Sequence, residues 1–130
     1  IINGGGGNDL IKGQKGDDIL RGDGGNDSLY GSKGDDKLIG GSGDDLLDCG
    51  DGDDILFGGD GRDIFDVSGY GDNTIKDLNF DEGDRIALKN VDNFAFIDAG
   101  DHSVINYNDN ASIKVYGSSP RDVLISIDFE

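Results

Sequence analysis

Seven aspartates recur every nine residues without a slip in phase: Asp9, Asp18, Asp27, Asp36, Asp45, Asp54 and Asp63. Each stands two residues after a glycine (Gly7, Gly16, Gly25, Gly34, Gly43, Gly52, Gly61) and two before an apolar side chain (Ile11, Leu20, Leu29, Leu38, Leu47, Leu56, Phe65). At neutral pH a carboxylate offers lone pairs and no proton. A glycine-rich turn aims backbone carbonyls inward beside it, and carboxylate plus carbonyl oxygens make the ligand set of a hard cation. Calcium, with longer and looser bonds, suits such a flexible cage better than magnesium, which demands a small octahedron. Zinc is poorly served by one cysteine, Cys49, and one histidine, His102. The competing reading of the aspartates, a solvated acidic face, gives no reason for a strict nine-residue phase.

One apolar residue in nine fits neither helical nor alternating-strand spacing, and it cannot bury a face in an isolated unit. The pattern makes a core only by stacking. The spacing predicts a six-residue turn and a three-residue strand per unit, two units per coil, and residues eighteen apart directly above one another. The turns then form two columns, and the inward Ile, Leu and Phe side chains form a narrow ladder core. Stacking also brings Asp9 to Asp27 and Asp18 to Asp36, a repulsion that calls for a cation between them.

Composition points the same way. With 34% hydrophobic residues and a net charge of −17, the chain sits near the disordered class unless positive charge is supplied. Its 28 acidic against 11 basic residues exclude nucleic acid and anionic membrane surfaces as partners. No apolar run approaches a membrane span, no basic-then-apolar leader opens the sequence at Ile1, and the single Cys49 rules out an internal disulfide. Ile1, Ile2 and Asn3 fill the strand positions of a unit whose turn is absent, so the ladder is expected to have begun upstream, in a larger parent protein.

Over residues 4–66 the units resemble the RTX, or haemolysin-type, nonapeptide Gly-Gly-x-Gly-x-Asp-x-apolar-x. The resemblance implies an all-β fold, a right-handed parallel β-roll, with each ion held between turns eighteen residues apart by carbonyls and by both aspartates. Carried onto this chain, the first site uses Gly5, Gly7 and Asp9 below, with Gly22, Gly24 and Asp27 above. The second uses Gln14, Gly16 and Asp18 with Gly31, Lys33 and Asp36, and the third uses Asp23, Gly25 and Asp27 with Gly40, Ser42 and Asp45. The fourth joins Ser32, Gly34 and Asp36 to Cys49, Asp51 and Asp54, and the fifth joins Gly41, Gly43 and Asp45 to Gly58, Asp60 and Asp63. A sixth would join Gly50, Gly52 and Asp54 to Val67, Gly69 and Asp72, which falls where the next aspartate is due. The expected cofactor is therefore calcium, about five ions with room for a sixth or seventh. Residues 1–66 carry 16 acidic and 6 basic residues, a net of −10 that five calcium ions would cancel. Gln14, Asp23 and Ser32 replace glycine at the second position and Cys49 at the first, and positive φ is harder for such residues.

Residues 1–66 hold 19 of the 24 glycines, and beyond them the composition changes. The expected division is a calcium-binding roll over 1–73 and a β-rich C-terminal cap over 74–130. Short β-branched or aromatic runs at 74–78, 85–88, 94–97, 104–107, 113–116 and 123–127 predict the cap's strands, with hairpin connections at Ala99-Gly100-Asp101 and Asn108-Asp109-Asn110. A repeat ladder needs such a cap to hide its last apolar rung and strand edges. Asp77 and Asp84 are candidate ligands of a further ion there, against the commoner role of turn capping. Tyr70, Tyr107 and Tyr116 read as cap residues, with stacking on a sugar as the alternative. His102 is expected at an exposed turn without a role, and Cys49 as a tolerated turn substitution. No nucleophile–base set is apparent and the acidic residues are committed to cations, so the chain is expected not to be an enzyme by itself. The resemblance implies a secreted, extracellular protein exported by type I secretion, with Asp128-Phe129-Glu130 near a C-terminal signal, and calcium-driven folding after export. The alternative is an appendage that binds an extracellular polysaccharide or surface for a polymer-modifying enzyme or adhesin.

Overall fold

The structure is a computed structural model and describes residues 1–67, 69–79, 81–89, 94–98, 102–107, 111–116 and 127–129. Strands alternate between two parallel sheets as the chain coils. One holds β1 (Ile2–Gly6), β3 (Ile19–Gly24), β5 (Lys37–Ser42), β7 (Ile55–Asp60) and β9 (Gly71–Ile75). The other holds β2 (Leu10–Lys15), β4 (Ser28–Lys33), β6 (Leu46–Asp51), β8 (Ile64–Asp66) and β10 (Arg85–Leu88). The described residues contain no helix, and the coil is a parallel β-roll.

Register follows the repeat. Leu20 pairs with Leu38 and Leu38 with Leu56 in one sheet, and Ile11 with Leu29 and Leu29 with Leu47 in the other, each step eighteen residues. Ile11 is 5% exposed and Leu20, Leu29, Leu38, Leu47, Leu56 and Phe65 are fully buried. Each such side chain contributes roughly 1.5–3 kcal/mol on burial, available only once a neighbouring coil covers it.

The strands are longer than the spacing predicts. Each of β2 to β7 is six residues long, not three, leaving short links such as Gly34-Asp35-Asp36 between them. The extra length comes from the glycine-rich half of each unit, which bonds to the turn eighteen residues on, as in Gly16 N–H to Lys33 C=O at 2.9 Å and Gly25 N–H to Ser42 C=O at 2.9 Å. Pairing skips the first position of every unit: Arg21 pairs with Ile39 and Asp23 with Gly41, while Gly22 and Gly40 stand outside the ladder. Their carbonyls are thereby released for another use.

Beyond β8 the chain changes step. β9 pairs with β7 at an offset of nineteen, Leu56 opposite Ile75, and β10 pairs with β8 at twenty-one, Ile64 opposite Arg85. Parallel pairing thus runs past residue 73 into β10. The same sheet goes on with β13 (Ala111–Val115) parallel to β9, and β12 (Ser103–Tyr107) and β11 (Phe94–Asp98) follow as antiparallel neighbours. β14 (Ile127–Phe129) lies parallel beside β10. Ile105, Tyr107, Ile113 and Val115 are fully buried and continue the core. The connections expected at 99–101 and 108–110, and most of the strand expected at 123–127, lie outside the described residues.

Candidate metal centres

Every first-position glycine of the lower roll faces inward and leaves a small space that a side chain would fill. A Cβ on Gly4 would lie 2.5 Å from Asp9 Oδ2 and 3.0 Å from the Gly22 carbonyl oxygen. One on Gly13 would lie 3.0 Å from Asp18 Oδ2 and 2.9 Å from the Gly31 oxygen, and one on Gly31 would lie 2.5 Å from both Asp36 Oδ2 and the Cys49 oxygen. At Gly22 and Gly40 it would overlap Asp27 Oδ2 and Asp45 Oδ2 and reach within 2.6 Å of the Gly40 and Gly58 oxygens. These are five cradles, each with a carboxylate oxygen of its own turn and a carbonyl of the turn above. Glycine is required there because the oxygens converge on the volume that any other side chain would occupy.

The second carboxylate oxygen fixes the aspartate. Asp27 Oδ1 accepts from Asp9 N–H at 2.8 Å, Asp36 Oδ1 from Asp18 N–H at 2.7 Å, Asp45 Oδ1 from Asp27 N–H at 2.7 Å, Asp54 Oδ1 from Asp36 N–H at 2.7 Å and Asp63 Oδ1 from Asp45 N–H at 2.9 Å. Each carboxylate therefore ties down the turn beneath and turns its other oxygen into its own cradle. The Oδ2 atoms of Asp9, Asp27, Asp36, Asp45 and Asp63 are buried without a hydrogen-bond partner, an arrangement that costs several kcal/mol unless a cation is supplied, whereas the Asp54 carboxylate has the Cys49 thiol beside it. Among the described residues no three His, Cys, Asp or Glu side chains converge, so backbone oxygens must complete any site. That donor set fits calcium.

Carbonyls of the second and fourth positions point up against the next turn: those of Gly7, Gly16, Gly25, Gly34 and Gly43 face Gly25, Gly34, Gly43, Gly52 and Gly61, and those of Asp23, Ser32 and Gly41 face Gly41, Gly50 and Gly59. Third-position carbonyls of Gly24, Lys33, Ser42, Asp51 and Asp60 point down and accept the N–H of Gly7, Gly16, Gly25, Gly34 and Gly43 at 2.7–3.0 Å, which leaves each one lone pair. Gln14, Asp23 and Ser32 adopt the positive φ that glycine holds elsewhere, at 81°, 72° and 86°.

The upper rungs depart from expectation. Asp72 does not take the rung above Asp54. The offset of nineteen gives that place to Asn73, whose Oδ1 accepts from Asp54 N–H at 3.0 Å, while exposed Asp72 donates its N–H to Asp53 Oδ1 at 2.8 Å and accepts from Ser112 Oγ at 2.7 Å. The inserted residue lies between Phe65 and Asn73, and an aspartate in numerical phase is thus out of structural phase. Asp77 accepts from Gly58 N–H and Gly59 N–H at 2.9 and 3.0 Å. Asp84 accepts from Asp63 N–H and Asn79 N–H, both at 2.8 Å, so it continues the aspartate ladder. At Gly58 the space beside Asp63 is bordered by Phe65 Cζ, 2.9 Å from where a Cβ would stand.

Burial is the main cause that pushes the buried carboxyls up, to about 6 at Asp54 and about 7 at Asp63, and upward at Asp36, Asp45 and Asp84, with neighbouring aspartates adding to it. Burial also raises the Cys49 thiol, aided by Asp54 and Asp48. Among the tyrosines, Tyr107 is fully buried while Tyr70 is 71% exposed, which corrects its reading as a cap residue. Tyr116 carries Lys76 Nζ 4.6 Å from its ring centroid and stacks on His102 at 5.1 Å, so the histidine is half-buried and engaged. Sequence reasoning passed over Gly4, Gly13, Asn73 and the Tyr107 hydroxyl. The nine-residue phase itself marked Gly4 and Gly13; nothing local marked the other two.

A roll whose stacked turns offer only oxygen lone pairs defines a repeat protein that binds hard cations. Residues 1–29 and 30–65 match the family described as RTX calcium-binding nonapeptide repeat (4 copies), and the chain belongs to that family. No curated protein matches the chain. Among solved structures, a subunit of the Azotobacter vinelandii mannuronan C5-epimerase is similar at 23% identity and a TM-score of 0.41, covering 94% of this chain and 78% of that one.

Proposed function

We propose that this chain is a calcium-dependent folding module of a secreted protein, unfolded where calcium is scarce and folded by it outside the cell. The observation that carries this reading is the row of buried, unpartnered Oδ2 atoms of Asp9, Asp27, Asp36 and Asp45, each facing a carbonyl of the next turn, with Asp18 Oδ2 set in the same way in the remaining lower cradle. Asp9, Asp18, Asp27, Asp36 and Asp45 hold these ions with the carbonyls of Gly22, Gly31, Gly40, Cys49 and Gly58. Bound calcium supplies positive charge between carboxylates that otherwise repel, and five ions offset the net −10 of residues 1–66. Because cradles exist only when turns stack, each ion adds its binding free energy to folding. An unfolded, acidic chain suits passage through a narrow export channel, and folding on arrival stabilises the larger protein that carries it.

Far-ultraviolet circular dichroism of calcium-stripped protein titrated with calcium tests the reading. A steep gain of β signal with calcium, absent with equal magnesium, is expected. The same β signal before and after calcium would overturn coupled folding, and an equal magnesium response would overturn the ion assignment.

A further inference from the structure

The sixth unit is built differently from the five below it. Cys49 takes the first position with its side chain fully buried, filling the kind of space that glycine leaves open in the cradles beneath. Its thiol lies against the Asp54 carboxylate and 3.8 Å from the Gly50 carbonyl. The turn above brings Asn73 in place of aspartate, which preserves the bond from Asp54 N–H at 3.0 Å and brings no charge. A third group arrives from the cap: the Tyr107 hydroxyl, fully buried, donates to the Val67 carbonyl at 2.6 Å and lies 3.0 Å from the Gly69 carbonyl. The Asn73 side chain adjoins that hydroxyl, with its Nδ2 buried outside good hydrogen-bond geometry.

We propose that this rung, formed by Cys49, Asp54, Val67, Gly69 and Asn73, holds no cation and is closed by the hydrogens of Cys49 and Tyr107 over an uncharged Asn73, so that one cluster both ends the calcium ladder and fastens the cap to the roll. A cation needs lone pairs on every side, and this rung offers a thiol, an amide and a phenol where the lower rungs offer carboxylate, carbonyl and empty space. A lone pair that faces a hydrogen is satisfied without an ion, so the upper turn is held by donors that calcium removal leaves in place. Burial, with Cys49 and Asp54 nearby, pushes the Tyr107 phenol well above its ordinary value, which keeps it a donor. Tyr107 stands forty residues from Val67 in sequence, so the bond spans roll and cap.

The inference rests on the calcium reading above, and one measurement separates their failures. Bound calcium is counted by native mass spectrometry and calorimetric titration for the wild type and for Cys49→Gly/Asn73→Asp/Tyr107→Phe. One ion more in the variant than in the wild type is expected; an equal or smaller count overturns the inference. A wild type that binds no calcium would sink the proposed function instead. Should the triple variant fail to fold, Tyr107→Phe alone decides. An unchanged ion count with Cys49 at least tenfold more reactive toward a thiol reagent in calcium-loaded protein supports the closure. A lost ion, or Cys49 as protected as before, overturns it.

Discussion

Two kinds of aspartate share four of the seven turns, and the structure separates them. Asp45 is buried, gives Oδ1 to Asp27 N–H and points Oδ2 toward the Gly58 carbonyl across the Gly40 cradle. Asp35 is exposed and accepts from Asp53 N–H at 2.9 Å, a bond that Asn26 makes equally well with Asp44 N–H at 3.0 Å. Asp45→Asn keeps the amide-accepting oxygen but removes the charge. It is expected to cost about 1.5–3 kcal/mol at the site, a rise of roughly tenfold to a hundredfold in the calcium midpoint, read by calorimetry. Asp35→Asn should leave the midpoint unchanged, and a comparable shift in both variants would contradict the division of roles. Gly22→Ala places a methyl group between Asp27 Oδ2 and the Gly40 oxygen and should remove one ion from the count. The nine-residue phase identified the sixth-position aspartates as the chemical ones. It could not show that one oxygen of each is spent on the neighbouring backbone, because that bond joins residues eighteen apart and depends on how closely the turns stack.

At the scale of the strand and turn, the repeat predicted parallel stacking, two columns and the apolar ladder, all of which follow from one apolar position per unit. Strand length was underestimated because glycine-rich sequence carries no strand propensity, yet Asp23, Gly24 and their equivalents pair once a coil lies above them. The change of register after β8 was also hidden, since a single inserted residue leaves Asp72 in numerical phase and moves Asn73 into the ladder. The second-position residues of the turns give the test at this scale. Gln14 and Ser32 hold φ of 81° and 86°, a region that costs a residue with a Cβ about 1–2 kcal/mol, partly offset by the greater entropy glycine loses on folding. Gln14→Gly is therefore expected to stabilise the calcium-loaded roll by about 0.5–1 kcal/mol, seen as a small rise in its thermal midpoint. Gly41→Ala should do the reverse and more strongly, because a Cβ there overlaps the Asp23 carbonyl of the turn below.

Across the whole molecule, protons and calcium compete for the oxygens of Asp36 and Asp45, whose carboxyls burial pushes up. Higher in the roll, burial raises the carboxyls of Asp54 and Asp63 to about 6 and about 7, whereas in the unfolded chain such groups titrate at about 3.9. Between those values the folded state binds more protons than the unfolded one, so the stability these groups contribute is present below about pH 4 and is lost as pH rises through about 6 and 7. Calcium-stripped protein should thus show more β signal at pH 5 than at pH 7.5 by circular dichroism at fixed ionic strength. Calcium binding runs the other way, because the ion takes carboxylates from which a proton must first leave. The calcium midpoint is expected to fall by roughly tenfold from pH 5.5 to pH 7.5. Equal midpoints at the two pH values would mean that the ladder carboxyls are ionised in the empty roll, and that calcium does not relieve the burial of these oxygens. A module that neutralises its core with protons in acid and with calcium at neutral pH has two routes to one fold. Only the second responds to calcium.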